Sequence, residues 1–156
     1  VPAILESTNP IASHIRTLLT LEAGDVWDAD TMQTLDTWHL QPLLQAAGIA
    51  APDISWFDLL QSGTHTAYSR EKLSPILLKA CGEAAEKKRV AETILLASWL
   101  LQSTDFTNID PVDAGLVITY LRDVGQDQVA MHLMREIASA HLMTQFVSDM
   151  QDENAG

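Results

Sequence analysis

Within eight residues the chain places Ile94, Leu95, Leu96, Trp99, Leu100 and Leu101, with Ala97 and Ser98 between them. A helix built from such a run is apolar on every side, and a helix apolar on every side must be enclosed by neighbours. The approach to it is strongly charged, Glu83-Ala84-Ala85-Glu86-Lys87-Lys88-Arg89. The apolar run is also far short of the ~20 residues that cross a bilayer, so no membrane span is expected. These features predict an all-α domain packed around a central helix over residues 83–102, wet at its start and dry at its end, with Trp99 in the core.

The surrounding chain is punctuated as a series of further helices. Asn9-Pro10, Ser74-Pro75 and Asp110-Pro111 each place a capping residue before a proline at the first helical position. Gly24, Gly48, Gly63, Gly82 and Gly125 stand where helices are expected to stop. Pro42 predicts a break near residues 39–41 and a short helix to Ala47, while Gly82 predicts that the helix opened by Pro75 closes at Cys81. The helix after Pro111 is read with Val112, Leu116, Tyr120, Leu121 and Val124 on one face, and Gly115 beside Ala114 as a point of close helix approach. The last helix, from Gln126 to about Val147, carries Val129, Leu133, Met134, Ile137, Ala140 and Met143. No segment alternates apolar and polar residues as a strand would. The expected architecture is a compact bundle of about six to eight helices, α-solenoid-like in its pairing, forming one domain over residues 1–148 with a flexible acidic tail at 149–156.

A chain of 156 residues can bury one ordinary core. Its formal charge of −12 opposes phosphate backbones and anionic lipid, so nucleic acid is not an expected partner. The single cysteine, Cys81, excludes an internal disulfide and is read as a small buried hydrophobe. The start, Val1-Pro2-Ala3-Ile4-Leu5, lacks both an initiator methionine and the basic opening of a signal peptide, which suggests a piece of a longer protein. The compartment is not legible from such a piece, with the cytoplasm the default.

Three stretches together have a familiar pattern: Arg89-Val90-Ala91-Glu92-Thr93-Ile94-Leu95-Leu96, then Ile109-Asp110-Pro111-Val112, then Leu121-Arg122-Asp123-Val124-Gly125 with Gln128-Val129-Ala130. Residues 88–142 resemble the C-terminal helical region of long alphaproteobacterial proteins, some of which carry an antifreeze label. The resemblance implies an all-helical C-terminal segment of a larger α-solenoid-like protein and brings no catalytic residues with it. This chain departs from the pattern in having Met131, His132 and Met134 where the relatives favour alanine and acids. It also lacks the regular threonine ladder and the alanine-rich tandem repeats that ice binding would use.

Candidate chemistry is sparse. Asp28-Ala29-Asp30 would open a calcium loop, but that register puts Gln33 where glycine is needed and His39 where the bidentate glutamate belongs. His132 and Glu136 lie four apart on one helix face, whereas His141, nine positions on from His132, points to another side. Lys87, Lys88 and Arg89 are read as a solvated helix face paired with nearby glutamates, Glu83 with Lys87 and Glu92 with Lys88. No nucleophile elbow, phosphate-binding glycine loop or paired-cysteine motif is present, and no cofactor is expected.

The functional expectation is therefore a non-enzymatic interaction domain holding a protein partner, or an adjoining part of the same longer chain, in a groove between helices. Trp27, Trp56 and Phe57, at helix boundaries, are the candidate partner-binding residues. Two alternatives stand beside it: a small-ligand or hydrolytic site near His39 and His65, and a structural end cap of a helical solenoid.

Overall fold

The computed structural model describes residues 38–49 and 70–156. Trp27, Trp56, Phe57 and His65 lie outside them. A 3-10 turn, Trp38–Leu40, leads into α1, Gln41–Ala46; then come α2, Pro75–Glu86; α3, Val90–Leu101; α4, Pro111–Asp123; and α5, Asp127–Ala155. The described residues are thus all-α, with five α-helices and no strand among them. None of these helices is long and apolar enough to cross a membrane.

Two of the three expected proline starts, Ser74-Pro75 and Asp110-Pro111, form, while Asn9-Pro10 lies outside the described residues. Ser74 Oγ accepts from the Leu77 amide at 3.5 Å, and Asp110 Oδ1 accepts from the amides of Val112 at 2.9 Å and Asp113 at 3.2 Å. The ends of α1 and α4 share one design. After α1 the amide of Gly48 donates to Gln45 O and that of Ile49 to Leu44 O; after α4 the amide of Gly125 donates to Arg122 O and that of Gln126 to Leu121 O. Both glycines have φ +81°, the left-handed step that lets the chain fold back onto its last carbonyls.

The helix expected over residues 83–102 is two helices. Gly82 does not close α2, which continues to Glu86, and the break falls at residues 87–89. There Lys88 takes the left-handed conformation at φ +54°, its amide donating to Ala85 O and that of Arg89 to Ala84 O. This is the same closing motif with lysine in the glycine position, a conformation that costs a non-glycine residue about 1–2 kcal/mol. Lys88 Nζ in turn donates to the Asp123 carbonyl at 2.8 Å, at the C-terminal end of α4. Gly82 is small for a different reason: a Cβ there would stand 3.0 Å from the Tyr120 ring.

Nor is this stretch the centre. The hub is α4, which packs against α1, α2, α3 and α5. Its buried side consists of Ala114, Gly115, Val117, Ile118 and Leu121, whereas Val112 and Leu116, expected inside, are exposed. At Gly115 a Cβ would lie 3.0 Å from the Pro42 carbonyl oxygen, so the expected close approach is that of α1 onto α4. Leu40, Leu43, Cys81, Ile118, Met134 and Ile137 sit in the core this arrangement encloses, each with no exposed surface. On α5, Leu133, Met134 and Ile137 are buried as expected, but Val129 and Met143 are not. That helix runs on past Val147 to Ala155.

The segment before α2 is clasped to the start of α4. Glu71 exchanges backbone hydrogen bonds with Asn108 and Asp110 at 2.8 and 2.9 Å, Lys72 Nζ pairs with Asp110 Oδ2 at 2.7 Å, and the Leu73 amide donates to Asp113 Oδ2 at 3.0 Å. These bonds set Arg70 against the loop before α4, where its Nη1 donates to Thr107 O at 3.3 Å.

Candidate functional site

Two features of this scaffold are candidates, a polar cleft and an apolar helix face. The cleft begins where the buried seam of α5 changes character. Ala130, Leu133, Met134, Ile137 and Ala138 form that seam, and His141 continues it with only 3% of its surface exposed. Thr144, Gln145, Ser148 and Asp149 follow three, four, seven and eight positions after His141, so they extend the same side of the helix. With His39 and Arg70 they line a cleft of about 230 Å³.

The His39 and His141 rings meet with centroids 5.7 Å apart and planes tilted by 41°. Neither ring nitrogen of His141 makes a well-aligned hydrogen bond, although the Ile109 backbone approaches the ring. Burial, then the positive charge of Arg70 and that of a protonated His39, push its pKa from 6.5 down to about 4, against a weaker opposing pull from the Ile109 backbone and Asp105. At neutral pH this imidazole is therefore uncharged and offers one donor and one acceptor. The cleft's formal charges are Arg70 on one segment and Asp149 on α5. The Thr144 hydroxyl donates to Ala140 O at 2.9 Å, which leaves its lone pairs as acceptors.

The sequence singled out His39, and the structure brings it to His141 rather than to the His132 pair. His132 Nε2 and Glu136 Oε1 lie 3.1 Å apart, both exposed. The histidines do not gather a metal site: among the described residues no three histidine, cysteine or acidic side chains converge on one point. The signal that could have pointed to the cleft is the polar continuation of an apolar seam. It becomes visible only once the seam itself is known.

The helix face is on α3. Thr93, Ala97 and Leu100 are buried toward the domain, the Thr93 hydroxyl satisfied by Arg89 O at 2.8 Å and the Thr93 carbonyl facing the Cys81 thiol at 3.7 Å. Burial raises the pKa of that thiol, so Cys81 is the inert small hydrophobe its sequence context suggested. On the outer side, Leu95 is 68% and Trp99 57% exposed, one turn apart and flanked by exposed Ile94 and Val90. Trp99, expected in the core, is thus a surface residue, because α2 and α4 cover only one side of α3. The basic cluster beside it is a turn rather than a helix face. Arg89 pairs with Glu92 at 3.0 Å, while Lys88 reaches α4 instead of the expected Glu92. Comparisons with protein-family models, with curated proteins and with solved structures gave no match to this chain.

Proposed function

We propose that this chain is a non-enzymatic helical interaction domain whose docking face is the outer side of α3. The observation that carries this reading is the pairing of exposed Leu95 and Trp99 one turn apart, on a helix whose opposite side already anchors it to the domain. Single exposed apolar residues are ordinary, but tryptophan and leucine adjacent on one helix face make an anchor of the kind that dominates interface energies. The resemblance of residues 88–142 to C-terminal helical regions of longer proteins supports the same reading, since such a region would meet neighbouring elements through an open face. The matching occupant is an amphipathic helix with basic flanks: its apolar stripe covers Leu95 and Trp99, and its cations complement a chain of formal charge −12 and speed encounter.

The test is capture from a lysate of the source cells with the wild-type chain and with a Leu95→Ser/Trp99→Ser double variant, followed by crosslinking to map the contact. Proteins held by the wild type, crosslinked to residues 90–99, released by salt and lost from the variant are the expected result. The variant should melt within a few degrees of the wild type, because surface substitutions usually change stability by about 0.5 kcal/mol or less. Leu100→Ala, on the buried side of the same helix at 5% exposure, should instead cost about 2–5 kcal/mol. Two baits that return the same proteins would sink the reading.

A further inference from the structure

Apart from the α3 face, α5 carries an apolar stripe on the part of the helix that leaves the core. Its last buried residue is Leu142, and residues 143–155, about 20 Å of helix, include none that is buried. On this arm Met143, Val147 and Met150 recur at helical spacing, so they share one face, and they are 46%, 48% and 39% exposed. We propose that the arm is a second docking element, independent of α3, that takes a basic amphipathic helix of a protein partner.

The arm is poorly made to stand alone. Helix away from a core depends on its own side-chain pairs or on a partner, and no lysine or arginine follows Arg135 to pair with the acids of this arm. Charge then selects the occupant. Glu136 lies two turns before Met143 and Glu153 one turn after Met150, both exposed, so acids bracket the stripe along the helix, with exposed Asp152 beside the second. A second copy of the chain would set a formal charge of −12 against the same charge, and the stripe of Met143, Val147 and Met150 falls well short of the ~800 Å² per partner that a stable interface buries. A cationic helix reverses the sign of that long-range force and lets a small apolar contact hold. An anionic lipid surface is repelled as a second copy is, and a helix built to lie on one carries lysine or arginine on its polar face, which this arm lacks. The two methionines suit a helical partner, since their unbranched thioethers adapt to the side chains they meet.

Three synthetic peptides separate these contributions: a helix with a leucine stripe and lysine flanks, the same helix with glutamate flanks, and the lysine peptide scrambled so that its leucines share no face. Each is titrated into the full chain, with the ¹H–¹³C methyl signals of Met143 and Met150 and the Trp99 indole signal as readouts. Saturable methyl shifts are expected with the lysine helix alone, and they should persist in the Leu95→Ser/Trp99→Ser variant. Val147→Gln removes the centre of the stripe while favouring helix at least as well, and should weaken binding about tenfold. Asp152→Asn/Glu153→Gln should weaken it about threefold at low salt and not at high salt. Methyl signals that move no further with the lysine helix than with the scrambled or glutamate peptide would overturn the proposal, as would full affinity in Val147→Gln. Shifts confined to Trp99, or methyl shifts lost with the α3 variant, would leave the α3 reading standing and remove this one. A chain that sediments as a dimer and becomes monomeric on Val147→Gln would give the stripe to a second copy and overturn it as well.

Discussion

The Nη1 of Arg122 donates to the Ala46 carbonyl oxygen at 2.8 Å, closing the end of α1 from 76 positions away. That carbonyl is one of the last of its helix and has no partner within it, and a cation at this pole also opposes the helix dipole. The same guanidinium stands 3.0 Å from where a Cβ on Gly48 would be, beside the left-handed turn that ends α1. Arg122→Met, which keeps the aliphatic stem, should therefore cost about 1 kcal/mol in urea unfolding. Gly48→Ala should cost about 1–2 kcal/mol from backbone strain alone, more if the guanidinium is displaced. Because both changes act on one contact, the double variant should lose less than the two single losses added together.

Gly115 gives a sharper test, because two effects of opposite sign compete there. Replacing a mid-helix glycine by alanine ordinarily favours the helix by about 1 kcal/mol. Here the new methyl would stand 3.0 Å from the Pro42 carbonyl oxygen, which belongs to the backbone of α1 and cannot rotate away as a side-chain tip would. Separating the helices loosens Leu43 and Leu44 from the core, so Gly115→Ala should destabilise by about 1–3 kcal/mol. A rise in the denaturation midpoint would show that α1 is not seated on α4 as described.

These two sites also show what a sequence reveals and what it hides. Asp110-Pro111, Ser74-Pro75, Gly48 and Gly125 were legible because capping and left-handed turns are decided by neighbouring residues. The break at Lys88 was hidden because lysine seldom takes the left-handed position and Gly82, nearby, looked the better stop. Trp99 was misplaced for a different reason. A helix apolar all round does not say which of its sides the domain covers, and the tertiary packing buries Thr93, Ala97 and Leu100 while leaving Leu95 and Trp99 outside. On α4 the bulky Val112 and Leu116 suggested the inner face, whereas the buried side carries Ala114 and Gly115, legible in the sequence as a point of close approach, because only small residues admit α1 so closely. His141 could be assigned to the cleft only after the α5 seam was known.

The buried His141 should set the acid side of the stability profile. In the unfolded chain its pKa is near 6.5, and in the fold, where burial and the neighbouring Arg70 and His39 oppose protonation, it is about 4. Below pH 6.5 the unfolded state takes up a proton that the folded state resists, so stability present above that pH is lost as pH falls toward 4. The loss is at most about 3 kcal/mol. Lowered carboxylates such as Asp110 act on acidification in the same direction, but from their ordinary value of 3.8 downward. Unfolding free energy measured at intervals from pH 7 to 4.5 should therefore fall, and His141→Phe, which keeps the ring volume without its nitrogens, should reduce that slope. A His141→Phe profile as steep as the wild type would assign the slope to other groups.

Asp110 does two jobs with one carboxylate, and the two can be separated. Oδ1 caps α4 through the amides of Val112 and Asp113, while Oδ2 holds Lys72 at 2.7 Å and so fastens the clasp before α2. Burial by itself would raise the Asp110 pKa, but the Lys72 hydrogen bond and the Asp113 and Val112 amides outweigh it and leave the carboxyl below its ordinary value. Asp110→Asn keeps a capping oxygen and loses the ion pair. Since the Lys72 side chain is 66% exposed, the pair is well screened and the change should cost about 0.5–1 kcal/mol, shrinking with added salt. Asp110→Ala loses the cap as well, for a total of about 1.5–2.5 kcal/mol in which the capping share is insensitive to salt. Unfolding both variants with urea at low and high sodium chloride separates the two contributions. Equal losses for asparagine and alanine would mean that the cap contributes nothing and that the clasp alone holds the start of α4.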